Sequence, residues 1–155
     1  NNMYSLFLLK DKIDDDIIFV SGDLYIGQSI VKEFITSPNP NSILIDTTPD
    51  YFSDDDPVKV TIVNNKITSI DKKLPLYETK GIAVGAYKMS HIVFLQFLDI
   101  AERLIEEGFL EYGYIEPIKL LLKKHDYIPH PIGEKIWCDI DTPEEYSAIN
   151  KIMRA

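Results

Sequence analysis

Short apolar runs alternate along the chain with longer stretches in which apolar residues recur every three or four positions. Ser5-Leu6-Phe7-Leu8-Leu9-Lys10 sets a capping serine before a short apolar helix face. After Asp14-Asp15-Asp16, the unbroken run Ile17-Ile18-Phe19-Val20 predicts a strand buried on both faces, ending at Ser21-Gly22-Asp23. Ile26 to Ile35 is amphipathic, with Ile30, Val31 and Phe34 on one helical face, and Pro38 and Pro40 stop it. Ile43-Leu44-Ile45 reads as a second buried strand. Strand, helix and strand in succession predict an α/β layer structure with a right-handed crossover.

The middle of the chain switches to alternation. Val58, Val60 and Ile62 are interleaved with Lys59 and Thr61, then Asn64-Asn65, then Ile67-Thr68-Ser69-Ile70. Such a pattern around two asparagines predicts a β-hairpin with one solvated face. Gly81 to Tyr87 is a further strand. Ser90 caps a helix whose Val93, Phe94, Phe97, Leu98, Ala101, Leu104 and Ile105 share one side, and Gly108 stops it. Ile115 to Lys124 is helical, with Pro117 tolerated in the first turn. Ile128 to Ile132 and Lys135 to Ile140 are short strands. Thr142-Pro143-Glu144-Glu145 combines a threonine cap, a proline at the first helical position and a glutamate at the third, the pattern of a capping box. No internal repeat, low-complexity tract or linker interrupts the pattern.

Composition narrows the function. The chain has 155 residues, 45% of them hydrophobic, enough for one core. Its net charge of −9 argues against nucleic acid and anionic membrane surfaces as partners. No apolar run approaches a membrane span. The single Cys138 excludes an internal disulfide and fits a reducing, cytoplasmic setting.

Two acidic positions stand out. Asp23 follows a predicted apolar strand, and ligands of open α/β sheets bind beyond the carboxyl ends of strands. It is placed either to hold a hard cation such as Mg²⁺ or to cap the helix that follows. Asp139-Ile140-Asp141 directs two carboxylates to one side while the strand stays extended, which suits metal ligation; alternatively Asp141 serves the dipole of the next helix. Lys59 and Lys72 flank the hairpin, each able to reach a phosphate or simply to be solvated. Tyr112, Tyr114 and Glu116 form an aromatic and acidic group that faces a cationic head group or forms the start of a helix. The acid runs Asp14–Asp16 and Asp54–Asp56 read as wet loops. Trp137 and Cys138 read as core residues, and the three histidines have no metal-ligand spacing.

In their order, these motifs resemble sugar-phosphate nucleotidyltransferases. Ile17 to Asp23 looks like that family's metal-holding strand and Gly-Asp. Asp56-Pro57-Val58-Lys59-Val60 and Ile67 to Lys72 are similar to its hairpin, in the form of the phosphocholine and phosphonate cytidylyltransferase branch. Gly81 to Ser90 and Trp137 to Tyr146 resemble its later strand and its closing helix start. The resemblance implies the C-terminal part of a mixed-sheet, Rossmann-like α/β fold with a β-hairpin insertion, over residues 1–155. It implies transfer of a nucleotidyl group, CMP from CTP, to a small phosphorylated or phosphonylated acceptor with release of pyrophosphate. Carried over by motif, Asp23, Asp139 and Asp141 bind Mg²⁺, with Asp139 where the family usually has Glu, and Lys72 is catalytic. Ile82 stands where the family has a substrate-binding Glu, and Glu78 replaces it only with a rearranged loop; Lys59, Glu78, Tyr114 and Glu116 are the substrate-binding candidates. Tyr87, Tyr112 and Tyr114 favour a cationic acceptor.

The family opens with a Gly-x-Gly-x-Arg phosphate loop, and this sequence contains no Gly-x-Gly. The expectation is therefore that a half-domain on the order of 70–90 residues precedes it in the intact enzyme, and that this chain alone is inactive. Two other readings are a glycosyltransferase of the related nucleotide-sugar fold, with Asp139-Ile140-Asp141 as its metal motif, and a non-catalytic binding or assembly scaffold. A broken sheet edge would favour a homo-oligomer.

Overall fold

The computed structural model describes residues 2–48, 57–109 and 111–153. In chain order the elements are α1 (Asn2–Phe7), β1 (Ile17–Val20), β2 (Leu24–Ile26), α2 (Gln28–Thr36), β3 (Ser42–Asp46), β4 (Lys59–Val63), β5 (Lys66–Asp71), a 3₁₀ turn (Leu76–Glu78), β6 (Gly81–Met89), α3 (His91–Glu106), α4 (Ile115–Leu121), β7 (Ile128–Pro131), β8 (Trp137–Asp139) and α5 (Pro143–Met153). The Asp54–Asp56 run and the Asp56 of the hairpin motif lie outside the described residues.

Local chemistry accounts for the best-defined ends. Ser90 Oγ accepts from the Val93 amide at 3.4 Å at the start of α3. Gly108, at φ +86°, lets the amides of Gly108 and Phe109 turn back onto the carbonyls of Ile105 and Leu104. At α5, the Glu145 amide donates to Thr142 Oγ1, and Glu145 Oε2 accepts from the Thr142 amide at 2.9 Å, completing the capping box. The β4–β5 hairpin turns at Asn64 and Asn65, both at positive φ, the backbone a tight two-residue turn needs.

Six strands form a mixed sheet in the order β5-β4-β6-β3-β7, with β1 also on β6. The nine-residue β6 is its axis. Along one edge it pairs with β3; along the other it pairs first with β4, through Gly81 and Ile82, and then with β1, through Ala86 to Met89. Gly85 marks the changeover at φ +89°, and a side chain there would sit 2.8 Å from Ser21 Oγ. Since β1 and β3 both run antiparallel to β6, they run parallel to each other, and α2 connects them. The strand–helix–strand unit predicted from the sequence is thus present, with β6 inserted between its strands.

Both faces of the sheet are covered. On one, Val60, Ile70, Tyr87 and Met89 pack with Phe94 and Phe97 of α3, Ile118 and Leu121 of α4, and Met3 of α1. On the other, Leu44, Val84 and Ala86 pack with Ile30 and Phe34 of α2 and with Ile132. β2 and β8 form a separate antiparallel ribbon over this second face.

Several expectations need correction. β1 is not buried on both faces: Ile18 and Val20 are exposed, because α2 and its apolar cluster cover β3 and β6 and stop short of β1. Ser5 lies inside α1 and is not its cap. Residues 24–26 are a strand, since β8 recruits them, so α2 begins only at Gln28 behind Gly27. α4 ends at Leu121 and β8 is confined to residues 137–139. Trp137 and Cys138 are only half-buried.

Candidate active site

Parallel β1 and β3 end at the same edge of the sheet, and the acidic residues gather there. Asp23 follows β1 by a short turn. The β2–β8 register sets Leu24 opposite Asp139, and the Ile140 amide donates to the Asp23 carbonyl at 2.9 Å. Two carboxylate residues more than a hundred positions apart are thereby neighbours across one ribbon. Asp141 stands beyond the end of β8, so the extended spacing that would align it with Asp139 does not continue that far; its amide instead donates to Glu145 Oε2 at 2.9 Å.

The electrostatics follow from this crowding. The Asp139 carboxyl is pushed up to about 6, first by desolvation and then by the charges of Asp23, Asp141 and Glu145. As the residue keeps an exposed surface, the like charges are the firmer of the two causes. Burial, and then the charges of Glu145, Asp139 and Asp141, raise the Cys138 thiol, whose Sγ donates to the Asp139 carbonyl. Glu145 shifts the other way, lowered by the Thr142 hydroxyl and by the amides of Asp141 and Thr142. Among the described residues, no three His, Cys, Asp or Glu side chains are grouped so as to hold a metal ion.

A residue absent from the sequence-based candidates completes this edge. Asp46, the last residue of β3, is 3% exposed; its Oδ2 accepts from the Trp137 indole N–H at 2.5 Å and its Oδ1 from the Thr48 amide at 2.7 Å. An aspartate ending a buried apolar run was a signal of the same kind as Asp23, but its partner lies 91 positions away. Asp46 and Lys59 both pair with Ile82, one from each side, so the three form a row across the sheet. Two strand spacings of roughly 4.8 Å each separate Lys59 from Asp46 along that row. The Lys59 ammonium donates to the Lys72 carbonyl, so the two hairpin lysines stand together.

The remaining candidates divide. Tyr114 reaches the end of β1: its hydroxyl is 3.2 Å from Ser21 Oγ, and its ring meets Phe19 and Tyr87 edge-on. The Tyr87 hydroxyl is fully buried, and burial, Tyr114 and the charge of Asp139 together raise it well above its ordinary value. Glu116 is engaged elsewhere, with Lys119, which also pairs with Asp71 at the end of β5. Tyr112 stacks on Phe109 at 4.9 Å, so Tyr112, Tyr114 and Glu116 do not form one surface. Glu78 is exposed on the 3₁₀ turn, and its proximity raises the neighbouring Tyr77 hydroxyl. Two cavities lie away from the carboxylates, one of about 440 Å³ beside Gln96, Arg103 and His125, the other of about 580 Å³ along α2. No helix among the described residues is long and apolar enough to cross a membrane.

Compared with descriptions of known protein families, the chain matches none. It is 22% identical over 152 residues to a bifunctional IPC transferase and DIPP synthase of Archaeoglobus fulgidus, an alignment covering 98% of this chain and 28% of that protein. Among solved structures, the inositol-1-phosphate CTP transferase of T. maritima superposes with a TM-score of 0.76 at 18% identity, over 99% of this chain and 61% of the other. A putative glucose-1-phosphate thymidylyltransferase of Bacillus anthracis gives 0.75 at 21% identity, over 99% and 61%. The CTP:phosphocholine cytidylyltransferase of Streptococcus pneumoniae gives 0.69 at 15% identity, over 99% and 64%. The chain therefore has the mixed-sheet α/β fold of the nucleotide-diphospho-sugar transferases, its structural neighbours are nucleotidyltransferases, and it spans less than two thirds of their length.

Proposed function

We propose that the chain is the acceptor-side portion of a cytoplasmic nucleotidyltransferase that moves CMP from CTP to a small phosphorylated or phosphonylated acceptor and releases pyrophosphate. The observation that carries this reading is the juxtaposition of Asp23 and Asp139 on the β2–β8 ribbon, at the carboxyl ends of two parallel strands, in a fold whose neighbours perform such transfers. In this reading the triphosphate is cradled by chain outside these 155 residues, since the sequence has no Gly-x-Gly.

The donor set fits Mg²⁺. It consists of oxygens only, and Mg²⁺ is characteristically held by one or two carboxylates with water and substrate phosphates filling the other positions. The mutual repulsion that raises Asp139 is relieved by a divalent cation. When bound, the ion would neutralise charge developing on the transferring phosphoryl group. Asp23, Asp139 and Asp141 would hold it. Lys72 contacts the transferring group, and Lys59 orients the Lys72 backbone. Tyr114 closes the β1 end of the site and gives a cationic acceptor an aromatic surface. Glu78 is assigned to the acceptor's periphery, and Glu116, held by Lys119, is left out of the site.

The test is pyrophosphate release by the polypeptide that contains this chain, with CTP, UTP, dTTP and a panel of phosphorylated acceptors. Asp23→Asn is expected to lower turnover by more than about 100-fold, the scale of losing a charge-stabilising group from a transfer site. Turnover unchanged in that variant would refute the metal role. Release of nucleoside diphosphate would indicate glycosyl transfer, and CTP binding without turnover a non-catalytic scaffold.

A further inference from the structure

We propose that Asp46 and Trp137 are a positioning pair that holds the Asp139 carboxylate against Asp23. The proposal rests on the metal-holding role given to those two aspartates. The β2–β8 ribbon is hydrogen-bonded within itself and forms a sheet separate from the six-stranded one. Its attachment over the main sheet is mostly apolar, through Leu24, Ile26 and Trp137, and apolar contact is non-directional. Such contact alone does not fix how β8 is rolled over the sheet.

A directed tie on the β8 side is the indole N–H of Trp137, 2.5 Å from Asp46 Oδ2. Asp46 is the only charged side chain buried among the described residues, and its second oxygen is fixed by the Thr48 amide. A carboxylate held on both oxygens cannot swing, so it registers the indole against the end of β3. Burying a carboxylate is costly until its hydrogen bonds offset the loss; a residue needed only for packing here would be apolar. Asp139 is two positions from Trp137, hence on the same face of β8. The ribbon's own hydrogen bonds set the backbones of Asp23 and Asp139 side by side, while the indole contact fixes the roll of β8 and with it the direction of the Asp139 carboxylate. Supports of this kind tune how well carboxylates hold a metal.

The sequence contains a single tryptophan, so one indole resonance isolates the contact. The test uses the full chain with Mn²⁺ as the probe. Asp46→Asn keeps the shape but leaves one acceptor oxygen for two donors; Trp137→Phe keeps an aromatic ring and removes the N–H. Each variant is expected to weaken Mn²⁺ binding by at least about fivefold. The double variant should be no worse than about twofold beyond the weaker single one, because both remove the same tie. Asp46→Asn should also move the indole N–H resonance. Folded variants whose Mn²⁺ affinities stay within about twofold of wild type would overturn the proposal even if their melting temperatures fall. Wild-type chain that binds Mn²⁺ no better than its Asp139→Asn variant would remove the metal reading itself, and the positioning role with it.

Discussion

Among the carboxylates of the described residues, Asp139 is the one whose ionisation the fold resists. Its pKa is raised to about 6, so the charged form is the costly one in the folded state. For a raised carboxylic acid the sign is fixed: stability is greatest below the unfolded value near 3.8 and declines as pH rises through about 6. Without metal, Asp139→Asn should therefore raise the melting temperature at pH 7.5 and leave it unchanged at pH 3.5, as calorimetry would record. The gain should not exceed about 1 kcal/mol, because solvent screens a carboxylate with an exposed surface. Saturating Mg²⁺ should abolish the difference by stabilising only the wild type. Asp23 and Asp139 were legible in the sequence because each closes a short apolar run and together they match a known order of motifs. Asp46 closes such a run equally well, yet its role depends on an indole contributed from the far end of the chain.

At the scale of elements, signals confined to a few residues mostly carried through, the Ser5 cap excepted. The capping box of α5, the Asn64-Asn65 turn and the Gly108 stop all depend on partners within five positions. Thr142→Ala removes a hydroxyl that serves the Glu145 amide and should cost about 1 kcal/mol in urea unfolding. Gly85 makes a stronger claim on its position: an added Cβ meets both a positive φ and Ser21 Oγ. Gly85→Ala should cost more than about 1 kcal/mol and displace Ser21 from the Tyr114 hydroxyl, a change that tyrosine fluorescence or side-chain NMR would register. β2 was illegible because three residues, Leu24-Tyr25-Ile26, are too few to show alternation; their pairing with Trp137 to Asp139 makes them a strand.

For the whole molecule, the instructive error concerns β1. Its apolar run predicted burial on both faces, whereas Ile18 is 36% and Val20 46% exposed. Burial depends on what covers a strand, and no local pattern encodes the cover. Among the described residues β1 pairs only with β6, so its outer edge offers unpaired amides and carbonyls beside apolar side chains. The isolated chain should therefore self-associate, more strongly at high salt where its net charge of −9 is screened. Val20→Lys should reduce the sedimentation coefficient at high protein concentration with little change in melting temperature. Equal association in wild type and variant would exonerate this edge.

The central strand also has a consequence in time. β3 pairs with β6 on one side and β7 on the other, and both lie downstream of it. During synthesis Ile43, Leu44 and Ile45 emerge first, and β6 is complete only about 40 residues later. At roughly 5–20 residues per second, that interval is about 2–8 s. For those seconds a strand that ends up buried along its whole length has neither neighbour, and sheets built from such distant pairings close slowly. Slower handling by the cell, through reduced temperature or abundant holding chaperones, should raise the soluble yield more than any single surface substitution. The order in which strands leave the ribosome, set by placing the axis of the sheet after its flanks, makes birth the most hazardous moment for this fold.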